Sequence, residues 1–242
     1  MALGNYDLWL EGKESEKKDT FLKLALWLKE NQDERGGWIN PWRYLRDTSV
    51  SDYSALAQGE AISVLVRAHA MTDDLSFIEC AKKAYKLMMQ PVEQGGCSYY
   101  DDDRIYLEEY PENPRSSVLN GWIYAVFGLY DFMIATNDTD VRNVLERTLK
   151  TLVHSLKSYD TGYWTLYDRH GTIASPSYHA LHIVLLDALI LITDGIIKDS
   201  ENFRKYSVKW NGYQHNIFNR TRALSVKVLQ RLKSPAKVSI VK

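Results

Sequence analysis

Cysteine is scarce in this sequence, which contains two cysteines among 242 residues. Cys80 and Cys97 lie in unrelated sequence contexts and form no Cys-x-x-Cys pair. Their number and spacing indicate neither a disulfide framework nor a zinc site. We therefore expect two unpaired thiols.

Apolar runs long enough to span a bilayer are also absent. The longest apolar stretch, Leu181 to Thr193, is interrupted by Asp187 and is too short for a membrane-spanning helix. The amino-terminal residues MALGNYDLWLEGKESEKK lack the basic start and the apolar run of a signal peptide. We expect the chain as given to be soluble and cytoplasmic, with no membrane partner.

Acidic side chains are missing from residues 204–242, which carry ten Lys and Arg. The remaining 203 residues hold 20 basic and 31 acidic side chains. Such a basic segment could contact nucleic acid, membrane lipid or an acidic polysaccharide, or form an amphipathic helix with a solvated charged face. The charges are spread rather than clustered, which favours the helix. We therefore expect a helical domain over residues 1–212 and a basic carboxy-terminal helix or tail over 213–242.

Helical periodicity dominates the rest of the chain. Hydrophobic residues make up 45% of it, enough for one substantial core. Apolar residues recur at i, i+3, i+4 and i+7 within 21–28 and 141–156. The segment 181–192 repeats this pattern but is apolar nearly all round, so we expect it deep in the core. Further helices are expected near residues 54–71, 74–90, 116–135, 199–210 and 219–232, with strands confined to short loop pieces.

Glycine-aromatic turns punctuate the helical segments at intervals of about 60 residues. They are Gly36-Gly37-Trp38, Gly95-Gly96-Cys97-Ser98-Tyr99 and Thr161-Gly162-Tyr163-Trp164. Glycine permits the backbone reversal, and the aromatic side chain packs over adjacent helix ends. We predict an all-α fold, an α/α toroid or partial toroid of helical hairpins with short β-hairpin loops lining a cleft. An open helical solenoid is the alternative.

Polar and aromatic residues concentrate in three segments, Asp101 to Arg115, Tyr159 to His170 and Ser175 to His182. The chain has 16 tyrosines against six phenylalanines. A tyrosine ring can stack on a sugar and its hydroxyl can hydrogen-bond, which makes these segments candidates for carbohydrate binding. Ordinary capping of the helix ends is the alternative for most individual tyrosines.

Acidic residues in the first of these segments suggest two kinds of site. Asp101, Asp102 and Asp103 lack the alternation of a calcium loop, so a solvated turn is favoured. Glu108 and Glu109 could be the paired carboxylates of a glycosidase. Adjacent side chains of an extended segment point opposite ways, however, so at most one of the two glutamates faces the cleft.

Basic and imidazole side chains supply further candidates. His179 and His182 stand three apart at the start of a helix and could share a face as metal ligands, but no third ligand is evident. We expect them instead to be hydrogen-bonding residues at the mouth of the cleft. Arg67, Arg115 and Arg169 could each grip a carboxylate, or be exposed charges.

The order of the sequence motifs resembles the carboxy-terminal domain of the D-glucuronyl C5-epimerases. Six blocks carry the resemblance over roughly residues 2–210: Tyr53 to Ser63, Glu108-Glu109-Tyr110-Pro111, Val118 to Trp122, Gly128 to Asp131, Tyr159 to Gly162, and Tyr178-His179-x-x-His182-Ile183. The resemblance implies an α/α catalytic domain that converts D-glucuronate to L-iduronate in a heparosan-type or related acidic polysaccharide. In this reaction the C5 proton of a uronate leaves from one face and returns from the other.

The resemblance also implies the catalytic residues, which are Glu109, Tyr110, Tyr167 and Tyr178. Glu109 and Tyr178 are expected to be the opposing acid and base groups, with Tyr110 and Tyr167 orienting the sugar or hydrogen-bonding its carboxylate. A tyrosine is a poor base unless a cation lowers its pKa, and Arg169, His179 or His182 is expected to do so. The residues expected to bind substrate are Tyr53, Gln58, Arg115, Asn120, Arg169, His179 and His182. No metal and no cofactor is implied.

The expected partners are the polysaccharide and, in a homodimer, a second copy of the chain, with no nucleic acid. Compared with vertebrate members of the family, the chain as given lacks an amino-terminal anchor and a β-rich domain. Its loop between Tyr167 and Tyr178 is shorter, and Arg169 stands two rather than three positions after Tyr167. A non-catalytic glycan-binding domain, and a lyase or hydrolase on the same toroid, are the alternatives.

Overall fold

Helices account for most of the chain in the computed structural model, which describes residues 1–40 and 49–233. A two-stranded antiparallel sheet, β1 (Ser98–Asp101) with β2 (Arg104–Leu107), is the one sheet within this described part. Short 3-10 helices cover Val92–Gln94 and Leu156–Tyr159. The helices are α1 (Ala2–Gly12), α2 (Ser15–Glu30), α3 (Ala55–Thr72), α4 (Leu75–Met89), α5 (Leu119–Thr136), α6 (Thr139–Ser155), α7 (Pro176–Thr193), α8 (Glu201–His215) and α9 (Ile217–Lys233).

The helices pack as consecutive hairpins in two layers. Helix α5 contacts both α3 and α7, which makes these three the inner layer. Helices α4, α6 and α8 pack on α3, α5 and α7, respectively, as the outer layer, and the α1–α2 hairpin adjoins α3. Hairpins arranged in this way form a partial α/α toroid, which confirms the fold class predicted from the repeated turns.

Two-residue turns close the α3–α4 and α5–α6 hairpins. The first residue of each turn adopts a left-handed conformation, with φ of 59° at Asp73 and 50° at Asn137. The second, Asp74 or Asp138, caps the next helix by accepting hydrogen bonds from its first backbone N–H groups. Asp and Asn tolerate the left-handed region and are also strong caps, so each pair ends one helix and starts another.

A close approach between α3 and α5 fixes the inner layer. A Cβ added at Gly59 would lie 2.7 Å from the Cα of Ala125, and one added at Gly128 would collide with the backbone of Gly59. An ion pair of 2.5 Å between Arg67 and Asp131 joins the same two helices. Arg67 is half-buried and its guanidinium binds a carboxylate of the fold itself.

Helix α7 is the one helix in residues 1–40 and 49–233 that is long and apolar enough to cross a membrane, and 39% of it is buried inside the protein. Its buried face contains His182, Leu185 and Leu189. Val184 is exposed, although it lies in the segment 181–192 that is predicted to be deep in the core. Because α7 is apolar nearly all round, its periodicity could not indicate which face is buried.

Most of the remaining sequence expectations are confirmed. The helices at 54–71, 74–90, 116–135, 199–210 and 219–232 are present, and both cysteines are buried free thiols. Asp102 and Asp103 form the exposed turn of the β1–β2 hairpin. Helix α1 was not predicted, since it has neither a side-chain cap nor a buried face.

The described parts of the long loops before α3, α5 and α7 lie at the end of the toroid where these inner helices begin. Each contains one of the predicted glycine turns, and Gly36, Gly95 and Gly162 have positive φ values of 91°, 76° and 84°. L-residues with a side chain rarely adopt this conformation, which explains the glycine. The three loops converge at one end of the fold, where the candidate residues lie.

Candidate functional site

Glu108 and Glu109 follow strand β2 and point in different directions. Glu108 is fully buried, and its carboxylate accepts hydrogen bonds of 2.7 Å from both the backbone N–H and the hydroxyl of Ser117. Burial raises the pKa of Glu108 to about 7, although the Ser117 hydrogen bonds and Arg115 oppose the shift. Glu108 therefore supports the loop beneath the site. This confirms that at most one glutamate of the pair faces the cleft.

Glu109 lies against the first turn of α5. A Cβ at Gly121 would collide with the Glu109 side chain, so glycine is required for this packing. The Oε2 atom of Glu109 is enclosed, while the residue as a whole is half-buried. The close packing against Gly121 thus fixes the Glu109 carboxylate beside the first turn of α5.

Tyr167 lies on the loop before α7, which is hydrogen-bonded to the segment before α5. The Leu119 N–H donates to the Tyr167 carbonyl at 3.1 Å, and the Arg169 N–H donates to the Ser116 carbonyl at 2.7 Å. The Tyr159 hydroxyl donates to the Ser117 carbonyl at 2.6 Å. These bonds bring Tyr167 beside the segment that carries Glu109 and Tyr110.

The four expected catalytic residues come together around the Tyr167 phenol. The Tyr167 and Tyr178 rings meet edge to face with centroids 4.9 Å apart. Burial raises the pKa of Tyr167, and so do Glu109, Tyr110 and Tyr178, with Tyr110 also hydrogen-bonding the phenol. Tyr167 therefore keeps its proton at neutral pH and can act as a hydrogen-bond donor.

Tyr178 occupies the first turn of α7 and is 40% exposed. The Ser175 hydroxyl caps this turn by accepting a hydrogen bond from the Tyr178 N–H at 3.3 Å. Pro176 occupies the first helical position, which suits its fixed φ angle. The capped turn gives the Tyr178 backbone a fixed position at the rim of the site.

His179 and His182 are fully buried beneath the site, which corrects the expectation that they lie at its mouth. The Thr165 hydroxyl contacts both Nδ1 atoms, at 2.9 and 3.0 Å. The His179 ring stacks on Trp164 with centroids 3.7 Å apart. Burial lowers the pKa of His179 to about 4 and that of His182 to about 3. Both are neutral at pH 7 and cannot supply a cation to Tyr167 or Tyr178.

The hydrogen bonds assign the tautomers of this histidine pair. His179 Nε2 lies 3.0 Å from the Trp210 carbonyl, so Nε2 carries the proton and Nδ1 accepts from Thr165. The Thr165 oxygen must then accept from His182 Nδ1. His182 Nε2 is buried and has no hydrogen-bond partner among residues 1–40 and 49–233. The pair acts as a rigid, uncharged support beneath Tyr167 and Tyr178.

Tyr53, Gln58 and Asn120, which were expected to bind substrate, are also buried. The Tyr53 hydroxyl donates to Asp33 at 2.7 Å, and Gln58 Nε2 donates to the Trp38 carbonyl at 3.3 Å. These bonds attach the first glycine turn to α3. Asn120 Oδ1 finds no hydrogen-bond partner within the described part of the chain. The substrate-binding role of the three residues stays a prediction.

A basic cavity of about 330 Å³ lies beside the site loops. Arg115 and Arg169 line it, together with Arg104 and Lys157, which sequence reasoning missed. The guanidinium of Arg115 stacks on the Tyr106 ring at 3.6 Å, and the one carboxylate in the lining is Asp101. Arg104 and Lys157 belong to no motif, and only the packing of α6 against the β1–β2 hairpin brings them together.

Glu60 and Tyr124 extend the site along the inner helices. The pKa of Tyr124 is raised by burial and by the nearby Glu60 and Tyr178. Glu60 also lines a hollow of about 290 Å³ with the indole side chains of Trp27 and Trp38. Glu60 lies within the Tyr53 to Ser63 block of the resemblance, but sequence reasoning did not select it as a site residue.

Comparison with known proteins places the chain in one family. Residues 32–212 match the family described as D-glucuronyl C5-epimerase C-terminus. A D-glucuronyl C5-epimerase of Caenorhabditis elegans is 36% identical over 223 residues, which cover 81% of this chain and 35% of the worm protein. An uncharacterized protein of Methanocaldococcus jannaschii is 28% identical over 221 residues, covering 83% of this chain and 70% of that protein.

A solved structure shares the fold. The crystal structure of the unsaturated glucuronyl hydrolase of Bacillus sp. GL1 superposes with a TM-score of 0.54 and 14% sequence identity, covering 92% of this chain and 59% of the hydrolase. The chain spans about a third of the worm epimerase and somewhat more than half of the hydrolase. The family match covers well over half of the chain and agrees with the ordered motifs, so this protein belongs to the D-glucuronyl C5-epimerase C-terminal family.

Proposed function

We propose that this protein catalyses C5 epimerisation of uronate residues, converting D-glucuronate to L-iduronate in a heparosan-type or related acidic polysaccharide. The observation that carries the proposal is the convergence of Glu109, Tyr110 and Tyr178 on the half-buried side chain of Tyr167. One carboxylate and three phenols provide proton-transfer groups and hydrogen-bond donors around a single point. They suit a reaction that moves one proton and breaks no bond of the polymer chain.

The C5 proton of a uronate is a very weak acid, so its removal requires stabilisation of the carbanion. When the C5–H bond breaks, its electron pair moves into the adjacent carboxylate and forms an enediolate. A protonated donor close to that carboxylate lowers the barrier because it stabilises charge that develops in the transition state. Tyr167 fits this role, since its raised pKa keeps its proton in place at neutral pH.

Inversion at C5 requires a proton-transfer group on each face of the ring. Glu109 and Tyr178 reach Tyr167 from different elements, the segment after β2 and the first turn of α7. We assign them to opposite faces, with one group removing the proton and the other returning one. The reverse reaction exchanges their roles, so each group is the base for one of the two epimers.

The basic cavity supports a negatively charged polymer as the substrate. Arg104, Arg115, Lys157 and Arg169 present four positive charges against the single carboxylate of Asp101. Arg169 follows Tyr167 by two residues, so the cavity adjoins the reacting centre. Guanidinium groups bind carboxylates and sulfates with paired hydrogen bonds, and we assign the cavity to an anionic group of a flanking sugar.

Exchange of the C5 hydrogen with solvent tests the proposal directly. The purified chain is incubated in deuterium oxide with heparosan in its unmodified, de-N-acetylated and N-sulfated forms, and NMR follows deuterium at C5 together with polymer length. We expect exchange and inversion without chain cleavage. Shortening of the polymer identifies a lyase or hydrolase, and binding without exchange identifies a glycan-binding domain.

Variants test the site within the same assay. We expect Glu109→Gln and Tyr178→Phe to lower the inversion rate by about 100-fold or more, because each removes a proton-transfer group. Tyr110→Phe and Tyr167→Phe should lower it by a similar factor, because each removes a hydroxyl that orients the sugar or hydrogen-bonds its carboxylate. Tyr163→Phe is the matched control, because Tyr163 lies on the Tyr167 loop but faces Arg222. Full activity in all four variants would sink the assignment.

A further inference from the structure

Helix α9 turns an apolar face to solvent. Its residues at 217, 218, 224, 228, 229 and 232 lie within one half of the helix circumference at 100° per residue. All are exposed, including Phe218 at 82% and Leu232 at 74%. An exposed apolar stripe along a whole helix is uncommon on a monomer and indicates a contact surface.

The opposite face of α9 anchors the helix to the Tyr167 loop. Ala223 is buried against the cluster that contains Trp164 and Ile173. The Lys227 ammonium donates to the Ile173 carbonyl at 2.7 Å. Gln230 accepts from the Ile173 N–H at 3.0 Å and donates to the Gly171 carbonyl at 2.9 Å. The anchored face fixes the direction in which the apolar stripe points.

Positive charge borders the stripe on both sides. Arg220 and Arg231 lie along one edge and Arg222 and Lys233 along the other, and α9 has no acidic residue. On the anchored side of the helix, His170, Lys227, Arg231 and Lys233 line a cavity of about 450 Å³. Two α9 helices packed together would bring like charges into contact, so the charge pattern favours an anionic partner with an apolar interior.

We propose that α9 binds the surface of an anionic phospholipid membrane. The helix lies in the interface with its stripe among the acyl chains and its basic edges among the headgroups. Helix α9 lies beyond residues 32–212, which match the family. The inference departs from the sequence-based expectation that the chain has no membrane partner, and it does not rest on the epimerase proposal.

Co-sedimentation of the whole chain with vesicles tests the inference. Vesicles of phosphatidylcholine alone are compared with mixtures containing phosphatidylglycerol. We expect binding to the anionic vesicles that weakens with salt. Phe218→Ser with Leu229→Ser is expected to weaken binding at least about tenfold, because two exposed apolar side chains no longer enter the bilayer. Arg231→Gln with Lys233→Gln is expected to weaken it about fivefold per charge.

Leu75→Ser is the matched control, since Leu75 is 69% exposed and lies on α4, far from α9 in sequence. This variant is expected to bind vesicles as the parent does. Equal binding to neutral and anionic vesicles, or binding that both double variants retain in full, would overturn the proposal. The proposal would also be overturned if the parent binds no vesicles but forms a dimer in sedimentation velocity, and the Phe218→Ser, Leu229→Ser variant is a monomer.

Discussion

Tyr167 and Tyr178 meet edge to face, with ring centroids 4.9 Å apart, although they belong to different elements. Tyr167 is fixed by backbone hydrogen bonds between its loop and the segment before α5. Tyr178 is fixed by the capped first turn of α7. The geometry of the site therefore depends on how two independently stabilised segments pack, and changes at either support should affect the reaction.

Single substitutions should separate the two faces of the proposed epimerisation. In Tyr178→Phe, Glu109 remains as a base, so we expect the epimer that Glu109 deprotonates to exchange its C5 hydrogen with solvent. Inversion should be lost, because no group returns a proton from the opposite face. Glu109→Gln should retain exchange on the other epimer, because each variant keeps one base. Glucuronate-rich and iduronate-rich polymers are incubated separately in deuterium oxide and followed by NMR. If both variants exchange the same epimer, Glu109 and Tyr178 do not act on opposite faces.

The contact between Gly121 and Glu109 supplies a second prediction. An added Cβ at Gly121 collides with the Glu109 side chain, so Gly121→Ala should displace the carboxylate and lower epimerisation by about tenfold or more. Gly212→Ala is the matched control, because Gly212 lies within α8 and no atom lies within 4 Å of its added Cβ. The control should keep full activity and gain up to about 1 kcal/mol in free energy of unfolding. Normal activity in Gly121→Ala would show that the Glu109 position is not critical.

The sequence indicated the helices well and the site less completely. Apolar periodicity follows from local chemistry, so α3 to α6 could be located from the sequence. Spacing put His179 and His182 on one face, but the apolar circumference of α7 concealed that this face is buried. Arg104 and Lys157 lie more than 50 residues apart in the chain and meet only through tertiary packing.

The cap of α7 provides a third prediction. Ser175→Ala removes the hydroxyl that accepts from the Tyr178 N–H and should lower the free energy of unfolding by about 1 kcal/mol. Asp138→Ala removes the corresponding cap of α6, away from the site, and should cost a similar amount. Only Ser175→Ala should also reduce epimerisation, since only this cap holds a reacting residue. Urea unfolding and the exchange assay on both variants make the comparison. Equal activity in the two variants would contradict a positioning role for Ser175.

The buried carboxyl of Glu108 leads to a prediction about pH and stability. Its pKa is raised to about 7 in the folded protein, against a usual value near 4.5. The folded state therefore favours the protonated form, and the stability that this form provides is complete below pH 4.5 and is lost as pH rises through 7. Glu108→Gln mimics the protonated carboxyl and can keep both hydrogen bonds to Ser117. The variant should match the parent below pH 4.5 and exceed it by about 3 kcal/mol above pH 7.

Urea unfolding between pH 4 and 8 measures this difference. The lowered pKa values of His179 and His182 make both proteins lose stability as pH falls below 6.5. Because that loss is common to the parent and the variant, subtracting the two curves isolates Glu108. A difference curve that is flat across the range would show that Glu108 titrates at its usual pH. A curve that favours the parent above pH 7 would mean that the Ser117 hydrogen bonds outweigh the burial of the charge.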